Sequence, residues 1–117
     1  MEEKPKQFSR LFQRTLSGQG QTPWCPPVDV YRTHTGWLLK FDLAGIKLED
    51  VSIAVHGNAV KVSGTRRDWS EESINSYYLM EISYNRFERT VELPCELVNP
   101  ELRIEFREGF LVVRLTT

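Results

Sequence analysis

Cys25, Cys95, His34 and His56 are the residues of this 117-residue chain best able to do covalent or metal chemistry. A Cys25/His34 or Cys95/His56 couple would pair a nucleophile with a base, but such a couple needs a third group to orient the base, and the sequence offers none. Two cysteines and two histidines also match the ligand count of a zinc site. They lack the paired C-x-x-C and H-x-x-x-H type spacing that brings such ligands onto one ion. There is no phosphate-cradling glycine loop, no G-x-S-x-G turn and no H-E-x-x-H pair, so neither catalysis nor ATP hydrolysis is expected and no cofactor is called for. Both thiols read as reduced, with a Cys25–Cys95 bridge left open.

Charge and composition narrow the partners. Fifteen basic residues stand against sixteen acidic ones, a net charge of -1, which provides no field to hold nucleic acid. The longest apolar run is about four residues, far below the roughly twenty that span a bilayer, and no signal-peptide stretch opens the chain. A cytoplasmic protein without a membrane partner is the expectation. At 40% apolar and 26% charged residues, one soluble domain with its own core is the default.

The elements that must position these residues fall into two parts. Residues 1–27 are rich in Gly and Pro and read as a flexible arm. Within it Phe8, Leu11, Phe12 and Leu16 fall at helical spacing between Arg10, Gln13 and Arg14. With Trp24, they are the arm's candidates for binding another polypeptide. From Val28 to Thr117 the period changes to two. Val28 and Val30, then Trp37, Leu39, Phe41 and Leu43, then Val51, Ile53 and Val55 alternate with other residues, and Val60, Val62, Phe87, Val91, Leu93, Leu102, Ile104, Phe106, Leu111, Val113 and Leu115 continue the rhythm. Thr35-Gly36, Ala44-Gly45 and Gly57-Asn58 carry turn chemistry, the last suited to a tight hairpin.

Seven or eight short strands without a helix in the body predict an all-β, antiparallel, immunoglobulin-like β-sandwich. The acidic stretch Asp68 to Ser76 reads as a long loop, followed by a short strand at Tyr77, Tyr78, Leu79 and Met80. Arg89 shares a face with Phe87 and Val91, so its guanidinium needs a route to solvent or a fixed partner, such as an acid of a second subunit. Phe110, Leu111, Val112 and Val113 are apolar on both faces, and the face turned away from the core needs a separate cover.

These segments together resemble the α-crystallin domain of the small heat shock protein family. Pro27-Val28-Asp29-Val30-Tyr31 resembles the family's P-x-D-I-Y opening, and Asp42-Leu43-Ala44-Gly45-Ile46 its D-L-P-G-V turn. Val60 to Arg66 matches an L-x-I-x-G-x-R strand. Glu81, Tyr84 and Asn85 to Arg89 leading to Leu93-Pro94 resemble E-x-x-x-G-x-F-x-R and its L-P. Ile104 to Leu111 resembles the A-x-x-x-N-G-V-L signature, with Glu108 in place of its asparagine. The match runs from about Pro27 to Leu115.

The resemblance implies an ATP-independent holdase that captures unfolding client proteins through apolar surface. It implies a homodimer in which Tyr77, Tyr78, Leu79 and Met80 pair with the partner's strand at Val28, Val30 and Tyr31, with Arg89 at the interface. It also implies a groove formed by Val51, Ile53, Val55, Leu102, Ile104, Phe110 and Val112 that takes an I-x-I type tail. The chain ends at Thr117 without that tail, so a dimer or small oligomer is expected, with the groove open to the arm or to a client. The competing expectation is a co-chaperone interaction module on the same sandwich.

Overall fold

The computed structural model describes residues 22–70 and 73–117. Seven strands follow in order: β1 (Val28–Arg32), β2 (Gly36–Asp42), β3 (Val51–His56), β4 (Ala59–Arg66), β5 (Asn85–Glu92), β6 (Glu101–Arg107) and β7 (Phe110–Thr116), with a 3-10 turn at Leu48–Asp50 before β3. They form a four-stranded sheet ordered β1-β2-β7-β6 and a three-stranded sheet ordered β3-β4-β5. All named pairings are antiparallel.

The sheets meet because each strand alternates. Leu39 and Phe41 with Leu43, Val60 and Val62, Phe87, Leu93, and Leu111, Val113 and Leu115 are almost fully buried and make one core. Each such side chain contributes about 1.5–3 kcal/mol when taken from water. The residues between them face outward, as period two requires. The expected all-β sandwich is therefore the observed one. The stretch Tyr77–Met80 forms no strand in the single chain.

The turns divide their strain unevenly. Gly57 takes φ +65, while Asn58 does not share the left-handed region. Asn58 instead donates from Nδ2 to the carbonyl of Leu93 at 2.7 Å and accepts the Leu93 N–H at 2.8 Å, tying the β3–β4 hairpin to the end of β5. Asn85 holds φ 72, a conformation that asparagine tolerates better than most residues. At the β6–β7 turn Glu108 has φ 53 and Gly109 φ 87. A left-handed glutamate costs roughly 1–2 kcal/mol, and its side chain is exposed. Glu108→Asn is expected to stabilise the domain by about 1 kcal/mol, raising the thermal midpoint by roughly 4–8 °C in calorimetry. An unchanged or lowered midpoint would contradict this account of the turn.

Candidate functional site

Three features of the sandwich remain open: the β1 edge, the two edges at the other side, and the β4–β5 loop. Which edges lie over each other follows from the segment before β1. Trp24 donates its N–H to the Arg86 carbonyl at 3.2 Å and accepts the Glu88 N–H at 3.0 Å, and the Pro27 carbonyl accepts the Asp42 N–H at 3.0 Å. This segment runs from β5 to β1 and seals that side. The other edges, β3 and β6, therefore face each other across the sandwich.

Register decides what those edges present. Val51, Ile53 and Val55 stand opposite Gly64, Val62 and Val60, so they share the inward face of the small sheet. Leu102, Ile104 and Phe106 stand opposite Leu115, Val113 and Leu111 and share the inward face of the large one. Being at an edge, they are incompletely covered: Leu102 is 37% and Ile104 39% exposed. On the inward faces of the two edge strands, Val51, Ile53 and Val55 are thus partly buried and Leu102 and Ile104 exposed, five of the residues expected to line the groove.

Phe110 and Val112 do not share those inward faces. Their partners Arg107 and Glu105 lie on the outer face of β6, and alternation turns them away from Leu102 and Ile104. The separate cover expected over this face is supplied by its own sheet. Lys40 lies over the Phe110 ring at 4.9 Å and the Tyr31 ring at 5.6 Å, and Val112 is only 6% exposed. Long stems of charged residues serve as the cover.

The β1 edge can be read from hydrogen-bond parity. Because the Asp42 N–H bonds to the Pro27 carbonyl and the Thr33 N–H to the Gly36 carbonyl, the odd-numbered residues of β1 face β2 with their backbone groups. Val28, Val30 and Arg32 then point their N–H and C=O off the sheet. Val30 and Tyr31 are 39% and 42% exposed.

The loop exposes the apolar residues expected at an interface. Tyr77, Tyr78 and Leu79 are 38%, 80% and 62% exposed, Ile82 is 63% exposed, and Met80 is half-buried. Two adjacent arginines at the end of β4 hold its root. Arg66 donates to the Ala44 carbonyl at 3.1 Å and the Ser83 carbonyl at 2.8 Å, and its guanidinium lies 4.6 Å from the Trp24 ring centre. Arg67 makes a two-pronged pair with Asp50 at 3.0 and 3.1 Å. Periodicity gave no sign of this double anchor. The only available signal was Arg66 closing the β4 strand pattern.

The Arg67 hydrogen bond, reinforced by its charge, holds Asp50 below the usual carboxylate value of 3.8. A depressed folded value means that the pair contributes fully above 3.8 and is lost as pH falls through a lower midpoint. In an NMR titration the Arg67 Nε–H resonance should therefore shift with a midpoint below 3.8, and Asp50→Asn should abolish the shift. A midpoint at or above 3.8 would contradict the anchor.

Trp24 and Arg89 both make contacts within the single chain. Trp24 packs on Phe87, with ring centres 5.5 Å apart, and among the described residues its buried Nε1 has no hydrogen-bond partner. Pro26, two residues on, is fully buried. Arg89 points inward opposite Val62 and donates to the Pro26 carbonyl at 3.1 Å. Phe8, Leu11, Phe12 and Leu16 lie outside the described residues.

The two cysteines are not brought together. Cys25 follows Trp24, which runs parallel to β5 beside Phe87, whereas Cys95 lies beyond the far end of β5. That is roughly 20 Å at about 3.3 Å per residue, too far for a disulfide, and both thiols are free and exposed. Among the described residues no group of three or more His, Cys, Asp or Glu could hold a metal ion. No helix among them is long and apolar enough to cross a membrane.

Comparison with known proteins agrees with this fold. The model of the Hsp20/alpha crystallin family matches residues 29–117. Small heat shock protein C2 of Rickettsia felis is 24% identical over 108 residues, covering 92% of this chain and 70% of that protein. Spore protein SP21 of Stigmatella aurantiaca is 29% identical, covering 83% of this chain and 57% of its own length. Among solved structures, HSP18.5 from E. histolytica superposes with a TM-score of 0.68 at 31% identity, covering 80% of this chain and 88% of that one.

Proposed function

The chain belongs to the Hsp20/alpha crystallin family, and from that membership we propose that it is an ATP-independent holdase that binds partly unfolded proteins and keeps them from aggregating. The observation that carries this is the row of apolar side chains, Val51, Ile53, Val55, Leu102 and Ile104, on the inward faces of the two open edge strands, which we read as a client-binding cleft. Its residues face the interior, yet the two on β6 remain more than a third exposed. An unfolding client that covers such surface gains about 25 cal/mol per Å2 without any chemical step. The deciding experiment is light scattering from a heat-aggregating client without ATP. Suppression near stoichiometric ratios is expected, and none at several-fold excess would overturn the reading.

The functional unit in this reading is a homodimer or small oligomer. Tyr77 to Met80 add to the β1 edge of a second copy, whose outward N–H and C=O groups at Val28, Val30 and Arg32 offer a template for strand addition. Arg89, through its hold on Pro26, steadies the strand that receives them. Val30→Pro removes one outward donor and no β1–β2 hydrogen bond. It should leave the fold intact while weakening association at least tenfold in sedimentation velocity. Unchanged dimerisation would exclude this edge. Free thiols at Cys25 and Cys95 support a reducing, cytoplasmic setting, and the near-neutral charge supports clients over nucleic acid or membrane as partners.

A further inference from the structure

One guanidinium joins three parts of the chain that lie far apart in the sequence. Arg66, at the end of β4, donates from Nε to the Ala44 carbonyl at 3.1 Å and from Nη1 to the Ser83 carbonyl at 2.8 Å, and its central carbon lies 4.6 Å from the centre of the Trp24 ring. Ala44 belongs to the β2–β3 connection, Ser83 to the end of the β4–β5 loop, and Trp24 to the segment before β1. Among the described residues no carboxylate pairs with Arg66. Its charge is held by two carbonyl dipoles and a ring face, and a planar fork meets all three in one orientation.

The Trp24 seat depends on that orientation. The backbone of Trp24 donates to the Arg86 carbonyl and accepts from the Glu88 N–H. Its ring packs at a tilt against Phe87 and meets Arg66, while its Nε1 has no hydrogen-bond partner among the described residues. Ring contacts therefore hold the side chain, and Arg66 supplies one of them. The loop end depends on Arg66 as well. Asn85, which stands opposite Arg66 in the β4–β5 register, holds φ 72 where the loop enters β5. Residues at the ends of elements absorb the backbone rotation when a segment swings, and the Ser83 carbonyl beside this point is the one Arg66 fixes.

We propose that Arg66 is a latch that makes the seating of Trp24 and the setting of the Ser83–Asn85 pivot one two-state event. With Trp24 seated, the guanidinium is held against the ring and fixes the Ser83 carbonyl. When Trp24 lifts, the guanidinium loses its ring face, turns to water and lets the pivot open. Linkage makes the effect reciprocal, so a loop that swings at Ser83 loosens Trp24. Arg67 stands outside the latch, because its pair with Asp50 holds the other end of the loop. The latch is built from contacts within one chain. Its consequence for assembly rests on the strand-exchange reading: Tyr77 to Met80 lie just before the pivot, and an open latch speeds their transfer to a second copy. A monomeric chain would strike that consequence alone.

The test is amide hydrogen exchange and NMR on the full chain, comparing Arg66→Lys, Trp24→Leu, the double variant and Arg67→Lys with the parent. The Glu88 N–H reports the seat, since the Trp24 carbonyl is its acceptor. The 13C shift of the Ser83 carbonyl, read through the Tyr84 amide, reports the pivot. Exchange is taken relative to the Leu39 amide of β2, which is paired on both sides, so a general loss of stability does not count. Arg66→Lys keeps the charge and loses the fork, and should speed Glu88 exchange about fivefold. Trp24→Leu should move the Ser83 carbonyl shift in the same direction as Arg66→Lys does. The double variant should add nothing to either reading, as expected of one coupled unit, and Arg67→Lys should leave both in place. Unchanged Glu88 exchange in Arg66→Lys, an unmoved Ser83 carbonyl in Trp24→Leu, additive effects in the double variant, or an equal effect of Arg67→Lys would each overturn the latch.

Discussion

Leu102→Asp combined with Ile104→Asp is expected to remove most suppression of client aggregation while leaving a folded sandwich. Of the inward residues of β6, Phe106 is packed against the core cluster, whereas Leu102 and Ile104 stay more than a third exposed on the open edge. The change therefore creates no cavity in the core, and a fall in thermal midpoint of about 5–10 °C is the expected cost. Client binding suffers more, since two carboxylates would have to be desolvated against apolar chain. A loss of about 3 kcal/mol corresponds to roughly a hundredfold weaker capture. Light scattering well below the variant's midpoint, with circular dichroism on the same sample, reads both effects. Full suppression by the folded variant would move client binding to another surface.

Phe87→Ala tests the other pole of the molecule and should be the largest stability change among these predictions. Phe87 is 1% exposed, packs at a tilt against Trp24 and fills the space over Gly64. A side chain at Gly64 would itself overlap the Asp50 carbonyl and the Phe87 ring. Truncating a buried phenylalanine costs about 3–5 kcal/mol, a large share of the 5–15 kcal/mol typical of such a domain. The midpoint should fall by roughly 15–30 °C, and the 22–27 segment should detach, since its bridge to β5 loses the ring beneath Trp24. Calorimetry and Trp24 emission in a Trp37→Phe, Trp69→Phe background measure the two effects. A fall of only a few degrees would mean that the segment, the β5 edge and the core are not one cooperative unit.

Much of the sandwich was legible because a strand writes its two faces into alternate residues. Trp37, Leu39, Phe41 and Leu43 could bury one face in only one way, and Gly109 marks a turn that few other residues can take. The proposed cleft was legible in part for the same reason: Val51, Ile53 and Val55, and Leu102 and Ile104, alternate onto inward faces. Phe110 and Val112 were assigned to it because hydrophobicity reports burial without saying which face is buried. Only the pairing of β7 with β2 and β6 places them beside Lys40 and opposite Arg107 and Glu105 on the outer side.

Alternation, turn residues and charge balance are properties of consecutive residues, so the sequence by itself determined an all-β domain and argued against a polyanion partner. Contacts between residues far apart in the chain were decided only by the tertiary structure. Trp24 lies against Phe87 and Arg66, Arg67 reaches back to Asp50, and Arg89 reaches Pro26 across a separation of 63 residues. Such contacts depend on which sheet edges meet, which no local pattern encodes. Whether an apolar strand face becomes core or an open cleft depends on whether another element arrives to cover it.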